Sequence, residues 1–252
     1  MRSPDRDPDE VVEGRNAVRE ALRAGVPLVE VRISSGTRDA DVLEEIVTLA
    51  RRAGVPVRGV TRHELDRVSA RGAHQGVMAA VRPFSYVPLS EIVAGAAASP
   101  RSLVIVLDHI TDPGNLGAVA RSAEAAGASG LIIPSQRSAS VAAVARKSAA
   151  GALEHLPVAR VVNLTRALAE LKDAGYWIAG ADEAAPSPVW ESRLDDRLVL
   201  VLGAEGTGLS RLVRENCDFL VSIPMVGRVG SLNVAQAATV LAFEWVRRHG
   251  TA

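Results

Sequence analysis

Apolar positions in this chain change their period repeatedly, and each change marks an element. Between residues 14 and 24 they recur at helical spacing and stop at Gly25, and over 28–33 they alternate as in a half-buried strand. A second helical stretch, 39–53, ends at Gly54 and is followed by the extended VPVRGV. A short helix opens at Thr61 with Glu64 three residues on, the spacing of a capping box, and HQGVMAAV closes the segment as a strand. The stretch from Val11 to Val81 is therefore predicted as a small α/β layer with its own core.

The pattern breaks over 82–101, where Pro83, Pro88 and Pro100 bracket EIVAGAAAS, read as a short helix within a linker. It then resumes with LVIVLD, an unbroken apolar run suited to a strand buried on both faces of a parallel sheet. The turn chemistry of Asp112, Pro113, Gly114 and Asn115 leads into a helix that stops at Gly127. GLIIP, a helix over 140–150, LPVARV, a helix capped by Asn163 and YWIAG continue the alternation. Two further apolar runs, 198–202 and 219–223, complete it before a final helix with Val234, Ala238, Leu241 and Trp245 on its apolar stripe. Alternation of this kind predicts an α/β fold, a mostly parallel sheet with helices on both faces. The expected division is a tail over 1–10, a first domain over 11–83, a linker over 84–100 and a second domain over 101–252.

Composition adds limits. A chain of 252 residues with 48% hydrophobic content supports a proper core. MRSPDRDPDE, charged and proline-bearing, reads as a loose tail, and with no apolar run near about 18 residues nothing is expected to span a membrane. The single cysteine, Cys217, excludes an internal disulfide and fits a cytoplasmic protein. Equal numbers of basic and acidic residues, 29 each, mean that any nucleic-acid binding must rest on local patches. The five histidines show no metal-ligand spacing, so no metal is expected.

Candidate chemistry gathers where strands end. The run at 198–202 is followed by GAEGTG and the run at 219–223 by a loop bearing Gly227, Gly230, Ser231 and Asn233. GAEGTG lacks the spacing of a dinucleotide fingerprint, and as a bare pattern its glycines read first as a tight strand-to-helix turn. Helix capping accounts for one of Ser231 and Asn233, but not for both. Asn115 and Arg121 flank a third such turn; Arg121 is either a plain surface arginine or a functional one at the same sheet edge. Arg58, Arg62, Arg67, Arg71 and His74 cluster late in the first domain, as a solvated face or a phosphate-binding one.

Three segments then carry a resemblance. NLGAVARSAEAAG (115–127), LGAEGTGL (202–209) and IPMVGRVGSLNVA (223–235) resemble the three ordered motifs of the SpoU/TrmH-type RNA ribose 2′-O-methyltransferases of the knotted (SPOUT) superfamily. GRNAVREAL and HQGVMAAV resemble the L30e-like substrate-binding domain of members that methylate a guanosine of large-subunit rRNA. The resemblance implies an S-adenosylmethionine site in a deep trefoil knot, bounded by Leu202, Gly203, Ile223, Met225 and Leu232. It also implies a homodimer through the final helix, with the site shared between subunits and RNA as partner. Its catalytic set maps onto Arg121, Asn115, Glu205, Ser231 and Asn233, which makes Arg121 the acceptor of the ribose hydroxyl proton, assisted by the RNA phosphate, with the others positioning. A cation that clamps the phosphate is the alternative role for Arg121. Many members carry serine where this chain has Gly230 and Ala235. Other readings are a tRNA-specific enzyme of the same family, a non-catalytic ribosome-assembly factor that keeps the fold, and a dehydrogenase, which the missing fingerprint disfavours.

Overall fold

The computed structural model describes residues 11–37, 40–69, 72–97 and 99–250. The expected tail, the helix start at Asp39 and Arg71 of the arginine cluster lie outside them. The chain divides into two compact units, one taking the residues up to Phe84 with Ala142–Lys147, the other Ser85–Val141 with Ser148–Ala252.

The first unit runs β1 (Val11–Glu13), α1 (Arg15–Arg23), β2 (Leu28–Ser34), α2 (Ala40–Arg52), β3 (Val57–Val60), α3 (Arg62–Val68) and β4 (Val77–Val81). Its sheet has the order β1-β4-β2-β3, with β3 parallel to β2 and the other pairs antiparallel. Val18, Leu22, Val31, Ile46, Val77 and Ala79 form its core. The capping box is present, with Glu64 N donating to Thr61 Oγ1 and Thr61 N to Glu64 Oε2. β1 is too short to register as a period, yet it pairs with β4 throughout. His74 does not join the arginines on a surface: it is 3% exposed. Its Nδ1 accepts from Gly76 N at 3.0 Å and its Nε2 lies 2.8 Å from Asp66 Oδ1, so the ring fastens α3 to the loop before β4. Arg58, Arg62 and Arg67 are exposed.

The second unit contains α4 (Leu89–Ala97), β5 (Ser102–Asp108), α5 (Pro113–Ala125), β6 (Gly130–Pro134), α6 (Ala143–Ala149, shared with the first unit), β7 (Val158–Val161), α7 (Leu164–Asp173), β8 (Trp177–Ala181), β9 (Arg197–Gly203), α8 (Arg211–Glu215), β10 (Phe219–Val221) and α9 (Val234–His249). Its six strands are all parallel in the order β10-β8-β9-β5-β6-β7. β5 is buried along its whole length, as its unbroken apolar run requires. The segment expected as linker instead seats α4 on this sheet. Ile92 is 1% exposed, and a side chain on Gly130 would come within 2.7 Å of it.

The strand order places the functional edge. From β5 the chain steps outward through β6 and β7, then returns on the far side, where β9 fills the place next to β5. The carboxyl ends of β5 and β9 thus lie side by side at a topological switch point, with Asp108 level with Gly203. α9 is secured at its far end. Buried Glu244 accepts from Arg247 Nε at 2.7 Å and Arg248 Nε at 2.8 Å. Arg248 also donates to Val189 O and Trp190 O in the connection before β9. No helix among the described residues is long and apolar enough to cross a membrane.

Candidate active site

Three loops meet at this edge, each shaped by its own sequence. The β9 loop folds back so tightly that a Cβ on Gly203 would lie 2.1 Å from Gly208 C. Gly206 and Gly208 take φ of 81° and 66°, a region side chains disfavour, and Gly208 N donates to Ala204 O. These glycines serve the turn, which holds Glu205 outward at its tip. In the β5–α5 loop, Asp112 caps α5 by accepting from Gly114 N at 2.6 Å, and Pro113 opens the helix. Asn115 therefore sits in the first turn. In the loop after β10, Asn233 caps α9, its Oδ1 accepting from Ala235 N at 2.9 Å.

The three loops join through side chains. Glu205 Oε1 accepts from Asn115 Nδ2 at 3.0 Å and from Asn233 Nδ2 at 2.6 Å. Asn233 Nδ2 also reaches Asn115 Oδ1 at 3.0 Å, closing a triangle. Val234 N lies 3.4 Å from Glu205 Oε1, so the carboxylate faces the amino end of α9, where negative charge is favoured.

Beside the triangle lies a cavity of about 440 Å³. Leu202, Gly203, Ile223, Met225 and Leu232 all line it, as do Ser231 and Glu205. Its volume falls in the usual range for small-molecule sites, about 300–1,000 Å³. Apolar walls suit an adenine, while Glu183 and Glu205 suit cationic groups and Arg214 a carboxylate. The lining thus fits S-adenosylmethionine, whose sulfonium, ammonium and carboxylate are all charged. Gly230 has open space where a side chain would project, so a serine there meets no clash.

Arg121 stands apart. It is exposed on α5, and among the described residues no hydrogen bond or ion pair engages it. Six residues separate it from Asn115, about 9 Å along the helix and about 120° around it. The next residue, Ser122, is bonded to Thr239 of α9 at 2.6 Å.

Two features of the site escape sequence reasoning. Asp108 is 1% exposed; its Oδ2 accepts from Ser210 N at 2.6 Å and its Oδ1 from His109 Nδ1 at 2.5 Å. It stitches the end of β5 to the end of the Glu205 loop. The one signal was an acid closing an otherwise apolar strand. In the cavity lining, Asp182 holds Arg214 at 2.5 Å, a pairing between residues far apart in the chain that no spacing reveals.

Comparison with known proteins gives this geometry its family. Residues 102–243 match the SpoU rRNA Methylase family, and residues 11–87 match the family described as RNA 2′-O ribose methyltransferase substrate binding. An uncharacterized tRNA/rRNA methyltransferase of Mycolicibacterium vanbaalenii is 45% identical over 98% of this chain and 79% of its own. The SpoU methyltransferase AviRb of Streptomyces viridochromogenes, solved with AdoMet, is similar at TM-score 0.65 and 28% identity, over 95% of this chain and 89% of that one. An AdoMet-bound rRNA methyltransferase of Sinorhizobium meliloti is similar at TM-score 0.61 and 25% identity, over 96% and 88% of the two chains. With both family matches in chain order and the cavity suited to the cofactor, the chain belongs to the SpoU family of S-adenosylmethionine-dependent RNA 2′-O-ribose methyltransferases.

Proposed function

We propose that the substrate is large-subunit ribosomal RNA, and that a guanosine ribose receives the methyl group. The observation that carries the catalytic part is the Asn115–Glu205–Asn233 triangle beside a nucleoside-sized cavity. The ribosomal part is supported by the match of residues 11–87 to a substrate-binding family and by similarity over both units to an rRNA methyltransferase. The cofactor supplies an electrophilic methyl group, and the task of the chain is to place a ribose hydroxyl in line with it. Alignment of this kind is worth roughly 7–11 kcal/mol in favourable cases.

In this account Leu202, Ile223, Met225 and Leu232 enclose the cofactor, and Gly203 sets the loop against which it rests. Asn115, Glu205 and Asn233 form a pre-organised polar wall, with Ser231 beside it, that orients the ribose. Arg121 clamps the RNA phosphate and stabilises the forming alkoxide, whose proton passes to the clamped phosphate and on to water; a delocalised guanidinium cation is a poor base. Because Arg121 and Asn115 diverge around α5, the Arg121 that serves one site comes from a second copy of the chain. That supports a homodimer packed through α5 and α9, in which Phe243 is 43% exposed. We extend the reading to the trefoil knot of the superfamily, with the C-terminal segment threaded through the loop before it.

The test is methyl transfer from labelled S-adenosylmethionine to ribosomal RNA and to tRNA, followed by nucleoside analysis. The account predicts 2′-O-methylguanosine in the large-subunit RNA. Product confined to tRNA would replace the ribosomal reading with the tRNA one.

A further inference from the structure

The loop between β6 and α6 stands beside the β5–α5 loop at the same edge of the sheet. Ile110 O, five residues before Asn115, accepts from Ala139 N at 2.7 Å and from Ser138 Oγ at 3.1 Å. At its start, Ser135 N donates to Val161 O at 2.8 Å, and Ser135 O accepts from Arg160 Nη2 at 2.9 Å. The Arg160 guanidinium lies over the Tyr86 ring, and Tyr86 OH accepts from Val141 N at 2.9 Å. The loop is therefore pinned at Ser135, Ser138, Ala139 and Val141. Between the pins, Gln136 and Arg137 are exposed.

Arg137 has φ of 54°, in the left-handed region that favours glycine. Among the described residues no hydrogen bond or ion pair engages it, and it does not line the cofactor cavity. A long cationic side chain is thus held on a pinned, strained loop tip, facing water, next to the loop that leads into Asn115 at the start of α5. Such outliers gather at ligand contacts, where the surrounding structure over-determines the backbone.

We propose that Arg137 is a substrate-binding residue that grips a backbone phosphate of the RNA flanking the target ribose. The inference rests on RNA as substrate. The guanidinium fork matches two phosphate oxygens, and the pinned backbone lowers the ordering cost of that contact. Arg137 acts on RNA binding rather than on the methyl-transfer step.

The experiment uses the full-length protein with ribosomal RNA and compares wild type with Arg137→Gly, Arg137→Ala and Arg137→Lys. Glycine suits the left-handed backbone, so Arg137→Gly removes the side chain and leaves the loop. The expected result is an RNA KM raised by roughly tenfold in Arg137→Gly and Arg137→Ala, with kcat at saturating RNA unchanged. Affinity for S-adenosylmethionine stays at the wild-type value, and the slope of log affinity for RNA against log salt falls by about one. Arg137→Lys recovers part of the loss. An unchanged RNA KM, or an equal fall in cofactor affinity, overturns the proposal. A wild-type protein that methylates no RNA overturns the substrate reading, and the proposal with it.

Discussion

Asp108 shows how much of this site depends on one side chain. Its carboxylate ties Ser210 N to β5 while Asn115, in the first turn of α5, reaches Glu205. Losing that tie frees the end of the loop that lines the cavity. Asp108→Ala is expected to weaken S-adenosylmethionine binding by roughly tenfold, since it removes the charged acceptor that holds Ser210 N. Asp108→Asn keeps an acceptor for Ser210 N and recovers part of the affinity; calorimetric titration of the cofactor checks both. Wild-type affinity in Asp108→Ala contradicts this role. Cys217 offers a contrast. Burial pushes its thiol up to about 12, so it stays protonated at neutral pH. A thiol reagent at pH 8 is expected to label it only in denaturant, and rapid labelling of the native protein contradicts that.

At the scale of elements, α9 carries a pH-dependent contribution. The Arg247 guanidinium first, and then Arg248, holds the Glu244 carboxyl down to about 2 from its ordinary 4.5, against the upward push of burial. A depressed folded value means stability that is present above pH 4.5 and lost as pH falls towards 2. Thermal melts of Glu244→Gln are expected to show a lower Tm at neutral pH, corresponding to about 1.5–3 kcal/mol of stability. They should also show a flatter acid limb than wild type; parallel limbs contradict the assignment. Elements of this kind were largely legible beforehand, because period changes and glycine stops mark them. β1 and α8 were not, as three and five residues are too short for a period. α4 was read as part of a linker because proline and alanine content says nothing of where Ile92 packs. His74 was grouped with exposed arginines because nearness along the chain does not encode burial. The residues of the triangle, though not their contacts, were reached through the motifs. Its geometry depends on three loops brought together by strand order, which no local pattern contains.

For the whole molecule, the account divides labour between an RNA-holding first unit and a catalytic second one. Residues 11–87 match a substrate-binding family, and Arg58, Arg62 and Arg67 are exposed there. A fragment beginning at Ser85 keeps Ile92 in the core and is expected to bind S-adenosylmethionine yet lose most RNA affinity. A fragment beginning at Pro100 loses the buried Ile92 contact and is expected to melt lower. Filter binding and cofactor titration on the two fragments check this; unchanged RNA affinity in the Ser85 fragment contradicts it. The central claim is that one geometry, the polar triangle of one copy with Arg121 of another, transfers methyl to a ribose. The most direct measurement is the yield of 2′-O-methylguanosine in ribosomal RNA when Arg121→Ala and Asn233→Ala proteins, each tested alone, are then mixed and allowed to exchange subunits. The account predicts little product from either variant alone and recovered product from the mixture, because one site in a mixed dimer has both groups intact. No recovery despite verified exchange, or full activity of Arg121→Ala by itself, would contradict it.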